Sequence, residues 1–269
     1  MSKQDLPFVN KKKQENFALG ARQSPLIIGH RGARGESPEN TVEGFLHAQN
    51  AGVDGIETDI AMTADLIPVM HHDAELPDGR LIRDLPLSEC FGIPTLAESL
   101  AALPEMTWLL EIKTYPPHPA KSHPPAFVVA RVLEVLDVAA ADPSRIAVKA
   151  FDWAVLREVA KQRPALTRIC LTAPETEKAK SLWWGRNDAS APQAAAASGA
   201  KAWSAFHKTL TAAQIAEAKS LGLMVFAWTV NEPADFDRLS PLVDGIVTDV
   251  PSRFMHPASS WDGRARDLS

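Results

Sequence analysis

Between Ile27 and Asp73 the chain reads I-I-G-H-R-G-A-R-G-E-S-P-E-N-T, then G-V-D-G-I-E-T-D-I-A-M-T-A-D, then P-V-M-H-H-D. Imidazoles at His30 and at the His71-His72 pair can supply an acid and a base. The carboxylates of Glu57 and Asp59 can hold a hard divalent cation through oxygen. Arg31 can grip a phosphate bidentately. Together these groups point to metal-assisted attack on a phosphate ester.

Such groups act only if rigid elements bring them together. Short apolar runs suggest strands at Leu26–His30, Gly55–Met62, Trp108–Lys113, Ile146–Phe151, Leu166–Thr172, Ala202–Ser204, Met224–Val230 and Gly245–Thr248, with an extra extended piece at Ile67–His71. Helical patterns lie between them: Thr41–Ala51 with Gly52 as a stop, one opened by the capping box T-L-A-E at Thr95, then Ala126–Ala140, Trp153–Gln162, Ala212–Leu221 and Ala234–Leu239. The Ala191–Ala197 stretch reads as helix or linker. Alternating strands and helices imply a parallel sheet, and eight such strands in 269 residues predict a (β/α)8 TIM barrel, typically ~250 residues. An open doubly wound sheet is the runner-up, weakened because no G-x-G-x-x-G opens the first helix.

In such a barrel the reactive groups sit at the C-terminal ends of strands. His30 ends the first strand. Glu57 and Asp59 share one face of the second, with Ile56, Thr58 and Ile60 turned toward the helices, and Glu111 and Lys113 repeat that pattern on the third. Four charged side chains then aim into the barrel mouth. A structural salt-bridge cluster is the competing reading, and the cost of burying charge without a partner or a metal weighs on the side of function. His71 and His72 are adjacent, so an extended backbone sends them to opposite faces; one of them acts, with Asp73 placed to orient it.

Composition bounds the rest. The chain is 45% hydrophobic with a net charge of -5, which gives it a sizeable core and argues against a nucleic-acid surface. Cys90 and Cys170 have no metal-ligand or C-x-x-C spacing and read as small apolar residues in a reducing compartment, with a cytoplasmic location expected. Lys11-Lys12-Lys13 precede no apolar stretch, and no window approaches the ~20 apolar residues of a membrane span, so neither a signal peptide nor stable membrane insertion is expected. The expected organisation is a polar N-terminal extension over 1–24, a barrel over 25–256 and a C-terminal tail over 257–269. His118 and His123 read as parts of a proline-stiffened loop, and His47 as a surface residue. His207 follows the sixth strand near the mouth. Trp183-Trp184 reads as a lipid contact or a half-buried loop anchor.

H-R-G at His30–Gly32, P-E-N-T at Pro38–Thr41, E-T-D at Glu57–Asp59, H-D at His72–Asp73, L-E-I-K at Leu110–Lys113, W-T-V-N at Trp228–Asn231 and D-G-I-V-T-D at Asp244–Asp249 resemble the glycerophosphodiester phosphodiesterase family, in the family's order. The resemblance implies a TIM barrel with one catalytic divalent cation, calcium or magnesium, held by Glu57, Asp59 and Glu111. It implies His30 and His72 as the acid/base pair, Arg31 and Lys113 on the phosphate, and Trp228 walling the pocket near a glycerol moiety. The implied reaction cleaves a small-molecule glycerophosphodiester to sn-glycerol 3-phosphate and an alcohol. Two alternatives stand beside it: a lysophospholipase D or sphingomyelinase-D-like phosphodiesterase on the same fold, and a non-catalytic phosphodiester-binding barrel. The chain departs from the family pattern in its short Asp73–Pro94 segment, in Ala150-Phe151 where Ser-Phe is common, and in the extra His71.

Overall fold

The computed structural model describes residues 24–185 and 189–255. The proposed C-terminal tail, and all of the N-terminal extension except Ser24, lie outside the described residues. Among the described residues nine strands follow one another: β1 (Leu26–His30), β2 (Gly55–Met62), β3 (Pro68–Met70), β4 (Trp108–Ile112), β5 (Ile146–Ala150), β6 (Thr167–Thr172), β7 (Ala202–Phe206), β8 (Met224–Trp228) and β9 (Gly245–Thr248). Eight pair in parallel, and β1 bonds both β2 and β9, which closes the sheet into a barrel. β3 lies outside the ring, antiparallel to the far end of β2. Strands buried on both faces read as apolar runs, which is why they were visible in sequence.

The barrel interior is filled by Ile28, Leu109, Ala147, Ile169, Ala202, Phe226 and Val247. Phe226 fits because Gly245 faces it: a Cβ there would lie 2.3 Å from the Phe226 ring. The larger core lies between strands and helices, where Ile56, Ile60, Leu110 and Ile112 meet Phe45, Leu96, Val132 and Trp153. Phe45 stands edge-on to Trp108, ring centres 5.1 Å apart. The helices end where local chemistry stops them. Val42–Ala51 is capped by the Thr41 hydroxyl and closed by left-handed Gly52, and Leu96–Ala102 opens with the expected reciprocal bonds between Thr95 and Glu98.

Element ends shift by a few residues from the sequence reading. β4 stops at Ile112, β8 stops at Trp228, and β7 runs two residues further, to Phe206. Ala191–Ala197 is a helix capped by Ser190, and the short helices Pro174–Lys178, Lys180–Trp183 and Pro251–Phe254 were not anticipated. Each is too short to display a helical period.

Candidate active site

Strand register assembles the site. His30 stands beside Glu57 across β1 and β2, Asp59 beside Glu111 across β2 and β4, and Glu111 beside Lys149 across β4 and β5. The turn after β1 depends on its glycines. Arg31 and Gly32 both take positive φ (50° and 89°), and a Cβ on Gly29 would fall 2.1 Å from the Gly32 carbonyl oxygen. Asn40, also at positive φ (53°), folds back on this turn: its N–H donates to the Arg31 carbonyl, while its side-chain amide donates to Asp59 Oδ2 (3.0 Å) and accepts from the Thr58 hydroxyl (2.8 Å).

The three carboxylates are buried and faced by cations. Lys113 Nζ lies 2.9 Å from Asp59 Oδ1 and 2.6 Å from Glu111 Oε1. Lys149 Nζ lies 2.8 Å from Glu57 Oε1 and 3.7 Å from Glu111 Oε2. Arg31 Nε is 3.2 Å from Asp59 Oδ2, and its Nη1 is held by Glu39 at 2.9 Å. Burial alone would raise the pKa of Glu57 and of Asp59. The charge of Lys149 on Glu57 and of Lys113 on Asp59 overrides it, so both sit below the ordinary carboxylate range and stay ionised. Lys113 is correspondingly raised: burial opposes its charge, but Asp59 and Glu111 hold it on.

The two histidines share one arrangement. His30 Nδ1 lies 2.6 Å from Asp249 Oδ1, and Asp249 is fixed in turn by the Asn231 amide at 2.7 Å. His72 Nδ1 lies 2.7 Å from Asp73 Oδ1. An ionised carboxylate only accepts, so each Nδ1 carries the hydrogen and each Nε2 is left for chemistry. His30 Nε2 is 3.8 Å from Glu57 Oε2. His72 is lowered below the ordinary imidazole range, first by burial and then by the charge of Lys113, with Asp59 acting the other way. His71 instead donates Nδ1–H to the Asp73 carbonyl (2.9 Å) and closes its own loop.

An aromatic wall borders the mouth. Trp228 stands edge-on to Phe151 (5.6 Å) and tilted against Phe206 (5.4 Å), and Phe151 continues edge-on to Trp183 (6.5 Å). Trp228 joins Thr229 through a cis peptide bond. Trp183 and Trp184 separate in role. Trp184 is buried and stacked on Trp153 at 4.8 Å, whereas Trp183 stays half-buried beside exposed Leu182. His207 is buried with its Nδ1 3.7 Å from Asp235 Oδ2, and His123 bonds the Thr63 carbonyl at 3.0 Å.

Glu57, Asp59 and Glu111 each offer one carboxylate oxygen within 4.8 Å of the others. Carboxylate oxygens gathered this closely suit one hard divalent cation, which takes oxygen ligands at ~2.0–2.6 Å. All-oxygen donors that are ionised and buried suit a hard divalent cation. The sequence reading missed Lys149, Asp249, Asn40 and Tyr115 as site residues. Lys149 is the lone charge of the apolar run I-A-V-K-A; Asn40 and Asp249 stand in the motifs P-E-N-T and D-G-I-V-T-D but had no role given, and Tyr115 becomes readable only once the fold supplies its partner. The Tyr115 hydroxyl donates to the His72 carbonyl (3.2 Å), and burial pushes its pKa up to about 12.

Residues 30–253 match the model of the Glycerophosphoryl diester phosphodiesterase family. A Silicibacter pomeroyi crystal structure, provisionally named a glycerophosphoryl diester phosphodiesterase, is 32% identical with a TM-score of 0.77, covering 86% of this chain and 92% of that one. An Oleispira antarctica phosphodiesterase, solved in complex with the product sn-glycerol-3-phosphate, superposes with a TM-score of 0.70 at 22% identity over 86% of this chain and 95% of that one. A glycerophosphodiester phosphodiesterase of Caldanaerobacter subterraneus is 26% identical over 262 residues, 86% of this chain and 96% of its own. The chain spans less than half the length of three further curated relatives, from Macaca fascicularis and two strains of Mycobacterium tuberculosis.

Proposed function

The chain belongs to the glycerophosphoryl diester phosphodiesterase family, and on that basis we propose that it hydrolyses glycerophosphodiesters to sn-glycerol 3-phosphate and an alcohol. The observation that carries this reading is the pairing of two carboxylate-anchored imidazoles, His30–Asp249 and His72–Asp73, with a buried acidic cluster edged by Lys113 and Arg31. The product seen in the Oleispira antarctica enzyme is in keeping with it.

In this reading Glu57, Asp59 and Glu111 hold one divalent cation, calcium or magnesium. When bound, the cation supplies polarisation of the phosphoryl oxygens and neutralises developing charge. Arg31 and Lys113 bind the remaining phosphate oxygens. Nε2 of one histidine takes the proton of the nucleophile, and Nε2 of the other returns a proton to the leaving alkoxide. Asp249 and Asp73 hold the two rings in the tautomer that leaves Nε2 facing substrate. Trp228, braced by Phe151 and Phe206, walls the glycerol moiety. Cys90 and Cys170 are free and buried, in keeping with a reducing, cytoplasmic setting. Among the described residues no helix is long and apolar enough to cross a membrane.

A panel of glycerophosphodiesters, offered to metal-stripped protein restored with each divalent cation in turn, tests the proposal. Release of sn-glycerol 3-phosphate with calcium or magnesium is expected, and no hydrolysis with any cation would sink it. One feature favours a second reading. The Trp228–Phe151–Trp183 strip leads outward to Leu182, which is 49% exposed, and so offers an apolar track for an acyl chain on the glycerol side. Faster turnover of lysophosphatidylcholine than of glycerophosphocholine would select that lysophospholipase D reading.

A further inference from the structure

Lys149 is the one charged residue of β5 and is only 3% exposed. It reaches into the barrel at the level of Glu111, with its ammonium 2.8 Å from Glu57 Oε1 and 3.7 Å from Glu111 Oε2. A single cation on one strand thus spans carboxylates from two others. With Lys113 on Asp59 and Glu111, and Arg31 on Asp59, three buried carboxylates meet three fixed positive charges. Buried carboxylates without partners are costly, and these charges offset that cost in the ion-free protein. They also stand in the metal's way. An ammonium and a divalent ion drawn to the same oxygens repel each other strongly in a buried site. Lys113 is tied to Asp59 and Glu111, whereas Lys149 is the cation that engages Glu57, the carboxylate beside His30.

We propose that Lys149 is the resident counter-cation of this site, a positioning residue that keeps Glu57 and Glu111 at ligand spacing in the ion-free protein and leaves Glu57 when a divalent ion binds. It sets the affinity of the site by competing with the ion. The inference rests on the reading of Glu57, Asp59 and Glu111 as the ion's ligands.

The two effects of Lys149 have opposite signs, which makes them separable from a merely structural role. Lys149→Met removes the ammonium, which takes repulsion away from the ion but leaves Glu57 without its lysine partner. The variant should bind calcium at least about tenfold more tightly by titration calorimetry. The same variant should melt at a lower temperature than wild type when both are ion-free. A residue that only buttressed the fold would lower both affinity and melting temperature. Calcium affinity equal to or weaker than wild type in Lys149→Met overturns the proposal while leaving the ion site itself standing. Absence of calcium and magnesium binding to wild-type protein overturns both readings together. Should Lys149→Met not fold, Lys149→Gln must show the same tightening, and a wild-type crystal loaded with calcium must show Nζ withdrawn beyond hydrogen-bond reach of Glu57. An ammonium still at 2.8 Å from Glu57 with the ion in place overturns it.

Discussion

His30 and His72 reach matching arrangements by different routes. His30 ends β1 and is anchored by Asp249 from the opposite end of the chain, whereas His72 is anchored by the next residue, Asp73. Positioned acid or base groups typically contribute ~10²–10⁴-fold, so His30→Ala and His72→Ala should each lose about that much in kcat. His71→Ala should be mild, because His71 serves its own loop. A p-nitrophenyl leaving group needs little protonation and should rescue the variant that lacks the acid more than the one that lacks the base. Equal damage from His71→Ala and His72→Ala, both folded, would overturn the assignment. The environment of His72 also fixes the sign of a pH effect. Burial and Lys113 lower its pKa, so its neutral form persists below the ordinary imidazole value of ~6.5. With His72 as the base, the acid limb of kcat/KM should therefore lie below that value; with His72 as the acid, the alkaline limb should. Asp73 raises the pKa of His72 through its hydrogen bond, so Asp73→Asn should move the limb lower still. A limb that rises in Asp73→Asn removes His72 from that role.

At the scale of elements, most of the barrel was legible because its strands are buried on both faces. The runs Gly55–Met62, Leu26–His30 and Gly245–Thr248 were bounded in sequence as they fold. The shared facing of Glu57 and Asp59 followed from alternation, and the two meet Glu111 in one cluster of carboxylates. Partnerships were not legible, because they depend on register between strands far apart in the chain. Lys149 and Glu57 are separated by 92 residues, and His30 and Asp249 by 219. Turn chemistry was only half visible: H-R-G stood out, but not the need for Gly29 before it. A Cβ at Gly29 would collide with backbone, the Gly32 carbonyl, which no side-chain movement relieves. Overpacking of this kind typically costs ~1–3 kcal/mol, and here the turn itself must shift. Gly29→Ala should lose about 2–3 kcal/mol in urea unfolding and, by displacing His30 and Arg31, most of the activity. Wild-type stability and turnover in this variant would show that the turn tolerates a different path.

At the scale of the whole molecule, the site is where the folded barrel holds its charges in tension. β2 and β4 present three ionised carboxylates to one small volume, and cations from β4, β5 and the turn after β1 keep them there. The unfolded chain scatters these groups, so a divalent ion that binds them binds the native state alone and stabilises it by mass action. At about 100 times its dissociation constant that is ~2.7 kcal/mol. A domain of this size gains roughly 2–4 °C in Tm per kcal/mol, so saturating calcium or magnesium should raise Tm by about 5–10 °C over chelator-treated protein. Glu111→Gln removes one carboxylate charge and should abolish most of the rise, even though Glu111 makes no direct contact with either histidine among the described bonds. Lys149→Met should enlarge it at the same ion concentration, because its site binds more tightly. A wild-type Tm indifferent to both ions would mean that the three fixed cations already satisfy the carboxylates, and the chemistry would then have to run on His30, His72, Arg31 and Lys113 without a metal.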